Sequence, residues 1–317
     1  MYVHCFSVWD ANSDSFALPT IHTAHQLIMI SGMNRKVLVL GNRGMLGSSV
    51  IVTLASSDRL DVVGTSRNSN YGIPFNPEMN DLRGLISSVK PDFVINCIGV
   101  IKQRISLGNV STSSVVRINS LFPHEISELS NDFNYKLLQI GTDCVFSGNT
   151  GKYREDKTHD STDLYGRTKS LGEPTSQNSM ILRTSFIGPE IENKNSFFEW
   201  IKNSPTDSVL RGFTNHLWNG VTSYALSQLL LKIITEDAFF SGVHHLVPSD
   251  EMSKFELINS IIQKTKRSDL DVVPVESLDS IDRTLTTINP ARNSELWRLI
   301  GYKSPPSIKE LIDEIRL

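Results

Sequence analysis

From Lys36 onward the chain repeats one unit: a short continuous apolar run, a glycine-bearing turn, and a stretch of helical spacing. Continuous rather than alternating apolar runs are the mark of strands buried on both faces of a parallel sheet. Six such runs, at residues 37–40, 62–65, 93–97, 136–140, 181–184 and 243–247, predict strands, and 114–129, 163–173 and 221–234 predict helices. The expected fold class is therefore α/β, a doubly wound parallel sheet. After about Gly188 the repeat weakens and aromatic and Asn-rich segments appear around 197–200 and 213–218, which predicts a smaller C-terminal domain. The later run at 243–247 returns to the sheet, so residues 33–188 with 219–250 are read as one domain, and 189–218 with 251–317 as the second. Ser307 followed by Glu310, with Ile308, Leu311, Ile312 and Ile315 at helical spacing, predicts a capped terminal helix.

A length of 317 residues suits roughly two domains of about 150 residues. A net charge of −3 with 39% apolar residues fits a globular protein, and the absence of a basic surplus argues against a nucleic-acid partner. No run approaches the roughly 20 apolar residues of a membrane span. Cys5, Cys97 and Cys144 are too few and too scattered for a disulfide framework, which places the chain in a reducing compartment, the cytoplasm. His244 and His245 are adjacent in a strand and point to opposite faces, so no metal site is expected. The first 34 residues hold no Lys or Arg; residues 1–32 are read as an N-terminal extension outside the fold, with Met33 as an alternative start.

The first strand runs into Gly41-Asn42-Arg43-Gly44-Met45-Leu46-Gly47 and then a helix. Such a turn brings backbone N–H groups and the positive helix end against a pyrophosphate, which predicts dinucleotide binding. The acidic residue that would hold an adenosine ribose diol is missing from the end of the second strand. Ser66 and Arg67 stand there, with Arg43 in the turn itself, a set suited to a 2′-phosphate. NADPH is the expected cofactor and NADH the second choice.

Tyr165 and Lys169, four residues apart, share one face of a predicted helix. A neighbouring ammonium lowers a phenol toward the working range of an acid–base group. Tyr153 also has a lysine, Lys157, four residues on, but the Arg-Glu-Asp between them offers no apolar face, so that pair is read as loop. Thr142 and Asp143 end the fourth predicted strand, where parallel sheets bind ligands: a Thr hydroxyl can donate to a carbonyl and an Asp can accept from a sugar hydroxyl.

With these residues in view the chain resembles the extended short-chain dehydrogenases/reductases, and within them the dTDP-4-dehydrorhamnose reductases. The resemblance runs from about residue 35 to the end. It rests on Gly44-Met-Leu-Gly47, Pro91-Asp-Phe-Val-Ile-Asn96, Asn119, Thr142-Asp-Cys-Val-Phe-Ser-Gly148, Tyr153-x-Glu-Asp156, Tyr165-Gly-x-Thr-Lys169-x-x-Gly-Glu173 and Arg183-Thr-Ser185. It implies a Rossmann-like sheet, a Thr142–Tyr165–Lys169 triad, Asp143 beside the substrate, and cofactor contacts from Gly44, Met45, Leu46, Ile98 and Gly99. Phe186 stands where the family often has a substrate-facing Trp. Arg283 corresponds to an arginine that would bind a nucleotide pyrophosphate, a surface salt bridge being the other reading. Gly141 and Asp163 replace the family's Ser and Asn, and the 213–222 segment follows its pattern loosely. The implied activity is reduction of a nucleotide-linked 4-keto-6-deoxysugar, in deoxysugar or surface polysaccharide biosynthesis, by a protein that could act as a homodimer. Alternatives on the same scaffold are an epimerase, a dehydratase (disfavoured by Cys144 where a Glu would stand), and a non-catalytic subunit resembling the regulatory subunit of methionine adenosyltransferase.

Overall fold

The computed structural model describes residues 34–192, 194 and 196–316; the expectation for residues 1–32 lies outside them. In chain order the first half contains β1 Arg35–Leu40, α1 Met45–Ala55, β2 Leu60–Ser66, β3 Ile73–Pro74, α2 Leu82–Val89, β4 Phe93–Asn96, α3 Lys102–Ser106 and α4 Thr112–Val116. A π-helical segment, Arg117–Leu121, leads into α5 Phe122–Phe133, followed by β5 Lys136–Ile140 and α6 Leu164–Leu171. The second half contains β6 Ser179–Arg183, β7 Phe186–Ile187, α7 Phe197–Lys202, β8 Val209–Phe213, β9 His216–Trp218, β10 Val221–Thr222, α8 Ser223–Thr235 and β11 Gly242–His245. β12 Met252–Ser253, α9 Lys254–Thr265, β13 Asp271–Val275, β14 Ile281–Asp282, α10 Pro290–Leu299 and α11 Ile308–Asp313 complete it.

Seven strands form one sheet in the order β11-β6-β5-β4-β1-β2-β3, and each neighbouring pair is parallel. The order reverses between β1 and β4, which opens a crevice at the strands' carboxyl ends, the ligand side of such sheets. Strand β1 explains the unbroken apolar run. Val37 and Val39 pack with α1 and α8 on one face, whereas Leu38 and Leu40 pack with α2 and α5 on the other. A two-residue side-chain period therefore meets two cores, and none of the four positions 37–40 is free to be polar.

A separate apolar cluster joins Phe198 and Ile201 of α7, Leu210, Trp218, Leu257, Ile258 and Ile261 of α9, and Ile308 and Ile312 of α11. The capping box expected at Ser307 and Glu310 is formed. Small sheets β10-β7, β12-β9-β14 and β13-β8 surround this cluster; their two- to five-residue strands carry too little periodicity to be read in advance. No helix among the described residues is long and apolar enough to cross a membrane.

Candidate active site

The glycine turn is shaped by two close approaches and one open position. Gly41 has φ +81°, and a Cβ there would lie 2.7 Å from the Ile98 side chain; one at Gly47 would lie 2.0 Å from the Gly41 carbonyl oxygen. These two let strand and helix meet. At Gly44, by contrast, a Cβ would meet nothing nearer than 3.9 Å, and Gly44 caps α1 with no side-chain hydrogen bond to its first turn. The first-turn N–H groups and the positive helix end thus face an approachable surface, the arrangement that receives a phosphate. The residues present fit a dinucleotide.

The remaining expected cofactor contacts divide by what they touch. Asn42 is buried and its amide donates to the Tyr71 carbonyl. Leu46 lies in the core, Met45 and Ile98 are half-buried, and Gly99 is exposed at the mouth of the crevice. Ile98 N–H donates to Asn96 Oδ1, which sets the loop after β4. Ser66 is buried with its hydroxyl accepting from Asn68 N–H, and Arg67 is exposed. Arg43 lies 3.8 Å over the Tyr71 ring and pairs with Glu192 at 2.6 Å.

The expected triad converges at the carboxyl end of β5. Thr142 caps the turn 143–145 by accepting from Cys144 N–H, and its hydroxyl lies 3.1 Å from Asp143 Oδ1. The Tyr165 phenol lies beside the Thr142 side chain, close to Cys144 and Asp143 as well. Asp163 caps α6, accepting from Gly166 N–H at 2.9 Å and from Lys102 Nζ at 2.7 Å. The π segment puts Asn119 inside the fold, where its Oδ1 accepts from Val100 N–H and its amide donates to the Val100 carbonyl and toward Thr168. Such π-bulges commonly mark functional sites; this one fixes α6 against the loop after β4.

One electrostatic expectation is corrected. Burial, and next the Cys144 thiol, hold the Tyr165 phenol above its ordinary range, with only the Thr142 side chain opposing them. Lys169 does not offset this, because its Nζ donates to the Ile140 carbonyl at 3.0 Å and burial depresses it in turn. Tyr165 therefore stands protonated at neutral pH, the form a proton donor needs. An ammonium has three donors, so two of those of Lys169 stay available.

Tyr153 is also corrected. It lies outside any helix, as expected, yet it is no loose loop residue: it is 2% exposed, its ring stacks on Phe146 at 4.2 Å, and its hydroxyl accepts from Gly148 and Thr150 N–H. Behind it lies a buried charge network. Arg183 holds Glu173 through Nε and Nη2 at 3.1 and 2.6 Å, and its terminal nitrogens meet His245 Nε2 and His159 Nε2 at 2.8 and 2.9 Å. His245 Nδ1 faces the Thr286 carbonyl, so the neutral ring accepts from Arg183 and donates to Thr286, as those partners require. Gly141 lies against this pair: a Cβ there would approach Arg183 Cα and Glu173 Oε1 at 3.1 and 3.2 Å, a tight contact.

On the open side, Asp143 is buried and burial raises its carboxyl, against the charges of Arg283 and then Lys254. Arg283 Nε donates to the Phe146 carbonyl at 2.9 Å. The surface salt bridge weighed for Arg283 is not formed with any described residue; its charge falls on Asp143 and Cys144 instead. Phe186 is half-buried against the core, at the start of the short pairing of β7 with β10.

A profile of the family described as RmlD substrate binding domain matches residues 35–306. The chain belongs to that family. It is 24% identical over 236 residues to the spore coat polysaccharide biosynthesis protein SpsK of Bacillus subtilis, covering 73% of this chain and 79% of that one. It is 23% identical over 261 residues to the methionine adenosyltransferase 2 subunit beta of Danio rerio, covering 76% and 77%. The fold matches the dTDP-4-dehydrorhamnose reductase of Bacillus anthracis solved with NADP, with a TM-score of 0.70 at 19% identity, covering 89% of this chain and 99% of that one.

The sequence reading placed its candidates along β5 and α6, with Phe186 and Arg283 from later segments, and did not name a second group that the fold brings beside them. Lys254, Trp218 and Phe197 come together from α9, β9 and α7. Phe197 and Trp218 sit in elements of six and three residues, too short to show which way they face, and Lys254 opens a helix whose pattern marks its cap and its buried face but not its first residue. Arg183 and Glu173 were visible only as pieces of a motif. Their pairing is a tertiary fact.

Proposed function

We propose that the protein is an NADPH-dependent reductase of a nucleotide-linked 4-keto-6-deoxysugar, acting in deoxysugar or surface polysaccharide biosynthesis. The observation that carries this reading is the adjacency of Thr142 and Tyr165 at the carboxyl end of β5, with Lys169 one helical turn on, its Nζ on the Ile140 carbonyl, and Gly44 open at the neighbouring switch point. Gly44, Met45, Ile98 and Gly99 would line the cofactor's path, and Arg43 and Arg67 would meet its 2′-phosphate. When bound, the reduced nicotinamide supplies the hydride. Thr142 and Tyr165 bind the substrate carbonyl oxygen, and Tyr165, kept protonated by burial, passes its proton to that oxygen as the carbonyl becomes an alcohol. Lys169 holds the cofactor ribose with the donors that Ile140 leaves it. Asp143 accepts from a sugar hydroxyl, and residues 189–218 with 251–317 form the substrate-binding part. NADH remains the second cofactor.

The likeness to the methionine adenosyltransferase subunit favours one other reading, a cofactor-binding protein without turnover. One experiment separates them: the protein is mixed with NADPH and a panel of nucleotide 4-ketosugars, and absorbance of the reduced cofactor is followed. Oxidation with at least one sugar supports the reductase. Tight NADPH binding with no turnover on any sugar supports the subunit.

A further inference from the structure

Lys254 is the first residue of α9, where a cation is the wrong sign for the helix. The positive end of the macrodipole favours acids there and disfavours lysine by a few tenths to about 1 kcal/mol. The helix already has the right device, with Ser253 and Glu256 forming a complete capping box. Helix stability therefore gives no reason for Lys254. Its Nζ lies 4.8 Å from the centre of the Phe197 ring and 5.3 Å from that of Trp218, in a partly desolvated position. It makes no hydrogen bond or ion pair with a described residue. The groups facing it are Asp143 and Cys144 of the catalytic turn and a second cation, Arg283. Burial and Arg283 push it down to about 8, against the pull of Asp143 and Cys144. A partly buried ammonium beside another cation, without a carboxylate of its own to pair with, is costly unless an anion joins it.

We propose that Lys254 is a substrate-binding residue, whose ammonium together with the guanidinium of Arg283 grips the diphosphate of a nucleotide-linked substrate. Asp143, next to Thr142, lies on the sugar side, and the half-buried Phe197 ring lies where a base would stack. The inference rests on the reading of a nucleotide-linked substrate and adds the residue that recognises its charge.

The test is calorimetric titration of dTDP and UDP into the full chain saturated with NADP. Lys254→Met should weaken nucleoside diphosphate binding by about tenfold or more, about 1.4 kcal/mol, with NADPH affinity unchanged and Tm unchanged or raised. Lys254→Arg should stay close to the wild type. In the unmodified protein, affinity should fall from about pH 7 to about pH 9 as Lys254 loses its proton, and in Lys254→Arg it should not. The ligand's terminal phosphate only gains charge over that range, so it would drive the opposite trend. Wild-type affinity in Lys254→Met, or a wild-type affinity that does not fall with pH, overturns the role of Lys254 alone. If the unmodified protein binds neither dTDP nor UDP, the nucleotide-linked reading falls and the inference with it.

Discussion

Two sets of ionisable side chains flank the turn after β5, and they are built on opposite principles. On the closed side, Arg183, Glu173, His159 and His245 partner one another at 2.6–3.1 Å. Glu155 joins them by accepting from Thr287 and the N–H groups of His245 and Ile288. On the open side, Asp143, Arg283 and Lys254 feel one another's charge without forming an ion pair, and Tyr165 lies beside Thr142, Asp143 and Cys144. A buried polar network that satisfies itself fixes structure, and it leaves no valence for a ligand. A set of charges held near one another but left unpaired is costly in the free protein and becomes favourable when a polar substrate completes it. The contrast assigns stability to the first set and chemistry to the second, and each can be broken separately.

The largest expected effect is on the closed side. Arg183→Met strips the partner from Glu173, which is 8% exposed at its side chain, and removing one member of a buried pair costs about 3–5 kcal/mol. Chemical denaturation should show that loss, while any folded fraction keeps its affinity for NADPH. A stability change under about 1 kcal/mol, the scale of an exposed pair, would mean that the network is solvated.

Acid should open the same network. Burial holds His245 down from its ordinary 6.5 to about 4, so between those values the unfolded chain binds a proton that the folded chain refuses. Stability is fully present above pH 6.5 and is lost as pH falls toward 4. Glu155, whose carboxyl is held low by hydrogen bonds from Thr287 and the Ile288 N–H against the effect of burial, adds in the same direction. Tm should fall from neutral pH to pH 5, less steeply in His245→Gln; equal slopes would remove His245 from the account.

A smaller effect concerns the cofactor edge, where side chains are exposed and energies are screened. Arg67→Asp should turn a preference for NADPH into one for NADH, with a shift in relative affinity of about tenfold, or about 1.4 kcal/mol. If the unmodified protein prefers NADH by that factor, the 2′-phosphate assignment to Arg43 and Arg67 is wrong, and the Arg43–Glu192 pair is that arginine's whole purpose.

How much of this was legible in advance follows the same division. Strand β1 could be read because residues 37–40 are buried on both faces and must be apolar, and α6 because Tyr165 and Lys169 lie within one short helix that Asp163 caps. The glycine turn could be read because a close approach such as that of Gly47 to the Gly41 carbonyl leaves room for one residue type. The closed network could not be read. Its members lie on β6, on β11, after α6 and in the loop before it, and no local pattern says that Arg183 and His245 meet on neighbouring strands. Lys254 was hidden for the same reason, on a helix whose sequence explains only its capping. Tyr153 shows the limit from the other direction, since a charged local sequence concealed a residue that the fold buries.

The most direct test sets Tyr165→Phe against Tyr153→Phe, because both tyrosines have a lysine four residues on and only Tyr165 stands in the candidate site. Single-turnover oxidation of NADPH by the accepted nucleotide ketosugar is measured for each, with Tm alongside. Tyr165→Phe should slow the chemical step by roughly 100-fold or more, the scale of a lost general acid, at nearly unchanged Tm and NADPH affinity. Tyr153→Phe leaves the Gly148 and Thr150 N–H groups short of an acceptor, so it should lower stability by about 1–3 kcal/mol and leave the chemical step nearly intact. Equal rate losses in the two variants, or a fast Tyr165→Phe, would contradict the assignment of chemistry to the open side.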